Sequence, residues 1–144
     1  MPTVLIVDDE QHIRLLIEQT LEELEDDGVD LLTAADGAEA MVVMANQHPD
    51  LVFLDVMMPK ANGYEVCRAI RADPATAGAT VILLTAKGQA DDRAEGLAAG
   101  ADQYLTKPFD PDDLLRRARV ALGLAGGDGA AVGRDEVGSA GGGF

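Results

Sequence analysis

Four places in this chain hold side chains that could do chemistry, and each lies where an apolar run stops. Asp8 and Asp9 follow Thr3–Val7, Asp55 closes Leu51–Asp55, Thr85 follows Thr80–Leu84, and Lys107 follows Asp102–Thr106. Carboxylates brought close together repel, each close pair by about 4 kcal/mol at an effective dielectric of about 20. Such a cluster either takes up protons or holds a hard cation. Oxygen ligands favour Mg²⁺, with waters completing its shell. The carboxylates of Asp8, Asp9 and Asp55, one dication and the Lys107 ammonium sum to about zero charge. A pocket balanced in this way can receive an anionic phosphoryl group on Asp55. The cation and Lys107 would then offset charge on the equatorial oxygens in the transition state. The Thr85 hydroxyl can donate to a phosphoryl oxygen.

These residues must be carried to one place by the elements between them. LVFLDVMMP, residues 51–59, is a buried run ended by a carboxylate and then a proline, the pattern of a central parallel strand. Ligands of an open parallel sheet bind beyond the carboxyl ends of its strands. Strands are predicted over Thr3–Val7, Asp30–Ala34, Leu51–Asp55, Thr80–Leu84 and Asp102–Thr106. Helices are predicted between and after them. The first runs from Gln11 to Glu25 with Ile13, Leu16, Ile17, Leu21 and Leu24 inward, stopped by Gly28. The second, after Asp36-Gly37, turns Ala38, Met41, Val42 and Ala45 inward. The third buries Val66, Cys67 and Ile70 and breaks at Asp73-Pro74, and the fourth, Ala90–Ala99, is alanine-rich with Gly96 inside it. A weak helix former of that kind docks loosely and shifts easily. Asp110 caps the last helix, Pro111–Leu122, with proline at its first position. Alternation of strand and helix argues for an α/β fold, a doubly wound parallel sheet covered on both faces.

Length and composition agree with one domain. The 144 residues are 47% hydrophobic but only 3% aromatic, so the core is aliphatic. A formal charge of −15 opposes contact with nucleic acid or an anionic membrane. The single cysteine, Cys67, forms no internal disulfide, which fits a reducing, cytoplasmic setting. Val4–Val7 is too short for a signal peptide or a membrane span. Residues 123–144 are rich in Gly and Ala and have no apolar period, so the expected organisation is a domain over 1–122 and a flexible tail or linker stub.

The stretches VLIVDDE, LVFLDVMMP, LLTAKG and YLTKPF, in this order, resemble the receiver domains of two-component response regulators. The resemblance covers about Thr3 to Leu122. It implies a flavodoxin-like five-stranded sheet of order 2-1-3-4-5. It implies that Asp55 is the phosphoacceptor, that Asp9, Asp55 and the backbone carbonyl of Met57 bind Mg²⁺, and that Asp8 assists through the metal's water. Lys107 would pair with Asp55, and Lys107-Pro108 would be cis. Thr85 and Tyr104 would form a switch pair, and Pro59, Gly63 and Gly100 would be turn residues. Lys87 stands where it could modulate access of water, and Asn62 receives no role. The implied partners are a sensor histidine kinase or histidine phosphotransferase, and a downstream effector or a second copy of the chain.

Two other readings are open. An Mg²⁺ phosphohydrolase would place its acids as D-x-D after the first strand, whereas Asp8 and Asp9 are adjacent and no cap domain is evident. A docking module indifferent to phosphorylation would not need the complete acidic, Lys and Thr set. The expectation is therefore a switch that catalyses only its own phosphoryl transfer and is not a turnover enzyme.

Overall fold

A computed structural model describes residues 2–58, 62–86 and 93–124. Pro59, Lys87, the expected start of the fourth helix at Ala90 and the tail beyond Leu124 lie outside the described residues. The elements are β1 (Thr3–Val7), α1 (Gln11–Thr20), a 3₁₀ helix (Glu22–Asp27), β2 (Asp30–Ala34), α2 (Gly37–Gln47), β3 (Leu51–Asp55), α3 (Gly63–Ala72), β4 (Thr80–Ala86), α4 (Arg93–Ala99), β5 (Gln103–Lys107) and α5 (Pro111–Leu122). Among the described residues no helix is long and apolar enough to cross a membrane.

The five strands pair in parallel in the order β2-β1-β3-β4-β5. β1 and β3 are neighbours, so the connections leave in opposite directions and a crevice opens at their carboxyl ends. β3 is buried at every position, as its unbroken apolar run requires. The pleat sorts side chains to two cores. Val52, Leu54, Val81 and Leu83 meet α2, α3 and α4 through Met44, Ile70 and Ala99. Val4, Ile6, Phe53, Ile82 and Leu105 meet α1, the 3₁₀ helix and α5 through Ile17, Leu24 and Leu114.

Three helical expectations are corrected. α1 ends at Thr20, and Glu22–Asp27 continues as a 3₁₀ helix. Carboxylates at the end of a helix oppose its dipole. The tighter i, i+3 spacing still buries both Leu21 and Leu24. Leu16 is 41% exposed, because the buried stripe is narrower than expected and runs through Ile17, Leu21 and Leu24. In α2 the phase differs: Ala40 and Met44 are buried, while Ala38, Val42 and Ala45 are exposed. That helix is apolar almost all round, so no polar face marks the outside. Its phase follows instead from its cap, where Asp36 accepts the Glu39 N–H.

Arg71, in the last turn of α3, ties three segments together. Its Nε donates to the Gly100 carbonyl at 2.8 Å, its Nη1 to the Ala77 carbonyl at 2.9 Å and to that of Ala79, and its Nη2 to Asp102 Oδ2 at 2.7 Å. Asp102 Oδ2 also accepts the Val81 N–H at 2.8 Å. The Asp102 side chain is 47% exposed, so the charge pair itself contributes little. The carbonyls matter more. Arg71→Ala is expected to lower stability by about 2 kcal/mol, because several acceptors lose their donor together. The check is a lower urea midpoint at unchanged slope.

Candidate functional site

The crevice is assembled by register. Val7 pairs with Leu54, so Asp8 follows in the row beside Asp55. Asp55 pairs with Leu84 on β4, and Ala86 pairs with Lys107 on β5. By the alternation of the pleat, Asp8, Asp55 and Lys107 continue the face of Ile6, Phe53 and Leu105. Residues far apart in sequence thus arrive on one face at one end of the sheet.

The Lys107 ammonium joins the two buried acids. Its Nζ lies 2.9 Å from Asp8 Oδ2 and 3.2 Å from Asp55 Oδ1. Asp8 is fully buried and Asp55 nearly so, whereas Asp9 is exposed. One oxygen from each of Asp8, Asp9 and Asp55 lies within 4.8 Å of the others. A cleft of about 310 Å³ is lined by Asp9, Glu10, Asp55, Met57, Ala86 and Lys107. The Met57 N–H donates to Asp55 Oδ1 at 3.4 Å, while the Met57 side chain is 60% exposed. The Lys107-Pro108 peptide is cis.

The backbone around Asp55 is held from the other side by α3. A Cβ at Gly63 would stand 2.5 Å from the Asp55 carbonyl oxygen and 2.9 Å from Val56 Cα, so only glycine allows this approach. The Gly63 N–H donates to the Val56 carbonyl at 2.9 Å. Asn62 acts here as the N-cap: its side chain accepts the Glu65 N–H at 3.0 Å, and Glu65 accepts the Asn62 N–H at 3.4 Å. Two further residues, Glu10 in the cleft and Arg14 behind Asp8, carry no chemical signature in the sequence. Glu10 Oε1 lies 3.9 Å from Lys107 Nζ, and Arg14 Nη1 donates to the Asp8 carbonyl at 2.8 Å. Adjacency to Asp9 is the only hint for Glu10, and Arg14 has none.

Thr85 and Tyr104 stand apart from this cluster. Thr85 is buried at the end of β4 but follows Leu83 onto the α3 and α4 face, and it does not line the cleft. Tyr104 pairs with Leu83 in register and is buried on that same face. The two are therefore on a common face, opposite to Asp8, Asp55 and Lys107.

Electrostatics follow from burial. Burial raises the Asp55 carboxyl to about 7, the Asp8 charge adds to the rise, and Lys107 partly offsets it. Burial alone would lower the Lys107 ammonium, but bonding to Asp8 and the charge of Asp55 bring it above its ordinary value. Because the three acids offer only oxygen ligands, converge closely and are short of positive charge, the residues fit a hard dication such as Mg²⁺.

A doubly wound α/β domain with an acidic crevice at the carboxyl ends of its strands is the class of protein that fold and site define. A family model for the response regulator receiver domain matches residues 4–119. The chain is 43% identical over 122 residues to the DNA-binding dual master transcriptional regulator RpaA of Synechocystis, covering 85% of this chain and 49% of that protein. It is 42% identical over 124 residues to the phosphate regulon transcriptional regulatory protein PhoB of Pseudomonas aeruginosa, covering 86% and 53%. The structure of the chemotaxis response regulator CheY4 of Vibrio cholerae superposes with a TM-score of 0.75 at 35% identity, covering 84% of this chain and 98% of that one. The chain belongs to the receiver domain family of two-component response regulators. It spans about half the length of the curated relatives it matches.

A pH dependence follows from Asp55. Its folded pKa, about 7, lies above the unfolded 3.8, so the native state binds more protons between these values. The stability this group contributes is full below about pH 4 and is lost as pH rises through about 7. The shift at Lys107 acts only in the alkaline range near and above 10.5 and leaves this window unchanged. In a chelator, the protein is therefore expected to lose stability between about pH 5 and about pH 8, and Asp55→Asn to flatten that loss. Added Mg²⁺ is expected to stabilise the wild type more at the higher pH, since its ligands must be deprotonated. Urea unfolding at both pH values, with and without the metal, checks this.

Proposed function

We propose that Asp55 is the phosphoacceptor of a signalling switch. The observation that carries the reading is the Lys107 ammonium bridging Asp8 and Asp55, with the Asp9 carboxylate in the same cleft. The donor is a phosphohistidine on a sensor histidine kinase or histidine phosphotransferase. An Asp55 oxygen attacks phosphorus, the P–N bond to the donor imidazole breaks, and the imidazole leaves with a proton from solvent. The product is an acyl phosphate on Asp55. Asp9, Asp55 and the Met57 carbonyl would hold Mg²⁺, with Asp8 acting through its water. The bound cation supplies positive charge against the phosphoryl oxygens. Lys107 is placed to move from the Asp55 carboxylate to the phosphoryl group, and Asp8 keeps its stem in position. Raised towards neutrality by burial, Asp55 gains nucleophilic carboxylate when positive charge enters the cleft.

Thr85 and Tyr104 are the switch pair of this reading. Thr85 donates to the phosphoryl group and Tyr104 responds on the same face, altering the surface of α4, β5 and α5. An effector or a second copy of the chain reads that surface by binding one state better. This unit turns over no external substrate. It acts in the cytoplasm, and its formal charge of −15 keeps it from contacting DNA itself. The domain occupies residues 1–122, and 123–144 serve as a linker or tail.

Intact-mass spectrometry after incubation with a small acyl phosphate tests the reading. One phosphoryl group should be gained only with Mg²⁺ present, and Asp55→Asn should abolish the gain. Asp9→Asn should slow it by at least about tenfold. Thr85→Ala should still accept the group but lose the partner response. A gain that persists in Asp55→Asn would overturn the assignment.

A further inference from the structure

We propose that Gly96 of α4 is the seat on which the Tyr104 ring rests, and that α4 answers a movement of that ring by turning about its C-terminal end. This rests on the reading of Tyr104 as part of a switch. The seat itself is a matter of packing. A Cβ at Gly96 would stand 2.6 Å from Tyr104 Cε1, 2.8 Å from its hydroxyl oxygen and 2.9 Å from Leu83 Cδ1. Gly96 is buried and Tyr104 is only 8% exposed, so the contact is closed to solvent. Glycine costs helix stability in the middle of an element, and here it leaves the space a ring occupies.

The C-terminal end of α4 is fixed by other means. The Ala101 N–H donates to the Gly96 carbonyl at 3.1 Å and the Gly100 N–H to the Leu97 carbonyl at 3.0 Å. Arg71 holds the Gly100 carbonyl, and through Asp102 it holds the start of β4. The ring thus presses on the helix one turn before a clamped end. Withdrawing it removes support from α4 at Gly96 and leaves the clamp intact. Filling Gly96 with a methyl group forces the ring outward or lifts the helix, because Leu83 blocks the remaining side.

Gly96→Ala gives a test of sign. Helix propensity alone would favour Ala over Gly by about fivefold in the local opening equilibrium. The seat predicts the reverse, a loss of amide protection across α4 of about tenfold. It also predicts that the Tyr104 ring becomes accessible to a soluble paramagnetic agent by NMR, with buried Tyr64 as the internal control. In a Tyr104→Ala background the clash with the ring is gone, so Gly96→Ala should there raise protection. Equal gains in both backgrounds, or a Tyr104 ring that stays shielded in Gly96→Ala, would overturn the proposal. All of this is read in the unphosphorylated full chain. If the wild type takes up no phosphoryl group, the switch reading fails while the seat is still decided. If both proteins take it up, phosphorylation should alter α4 exchange in the wild type and change it little in Gly96→Ala; an equal change in both would overturn the role of the seat in coupling.

Discussion

Asp8 is wholly out of solvent and Asp55 nearly so, and what permits both to remain there is the ammonium of Lys107 lodged between them. Two buried carboxylates side by side would each lack solvation and would repel the other. One ammonium compensates for one of them, and Asp55 retains the deficit as a carboxyl near neutrality. The arrangement depends on reach. β5 and β1 are separated in the sheet by β4 and β3, and strands lie about 4.8 Å apart. The four-carbon stem of Lys107 passes the end of β4, and the side chains of Asp8 and Asp55 reach towards it and close the remaining distance. Ala86, its register partner, is small enough to leave the path open and itself lines the cleft.

The same deficit constrains the elements around it. Asp55 cannot drift, because α3 begins directly on its carbonyl through Gly63 and is fixed there by the Asn62–Glu65 capping box. Asp8 is held at both of its ends: Oδ1 accepts the Glu10 N–H at 2.9 Å, and its carbonyl accepts from Arg14. The helix that covers Asp8 therefore starts at a position set by the acid it covers. Stability and site are built from the same bonds, which is why residues such as Arg14 belong to both.

The strands and the acidic cluster were legible because each strand is an apolar run stopped by a polar residue. Asp55, Asp8 and Lys107 mark those stops in the one-dimensional pattern. Helix phase was less legible. α2 offers no polar face, so Ala38, Val42 and Ala45 could not be told from Ala40 and Met44 until Asp36 fixed the start. The end of α1 was misplaced because the apolar spacing of Leu21 and Leu24 suits both an α and a 3₁₀ turn. Thr85 was expected in the groove with the acids. Its face depends on pleat parity with Leu83, which only strand register decides. Glu10 and Arg14 are ordinary helix-start residues in the sequence, and their contacts depend on where Lys107 and Asp8 end up.

The acidic cleft and the proposed switch pair lie on opposite faces of the sheet. Asp8, Asp55 and Lys107 continue the face that packs on α1 and α5, whereas Thr85 and Tyr104 belong to the face of α3 and α4. The buried central strand β3 leaves no side-chain route through the middle of the sheet. In the proposed switch, a change at Asp55 would pass to the other face at the open carboxyl edge. There the Val56 N–H donates to the Leu84 carbonyl at 3.1 Å, one residue before Thr85. Thr85 still pairs with Thr106 in the ladder, so its Cβ stays on the face of Leu83, and a rotamer change only swings the hydroxyl about that Cβ towards or away from the edge. The neighbours of Thr85 in sequence pair with the charged residues, Leu84 with Asp55 and Ala86 with Lys107. In the proposed switch, this position beside the carboxyl edge, rather than a place in the cleft, is what would let Thr85 link the charged cleft to the packing beneath α4.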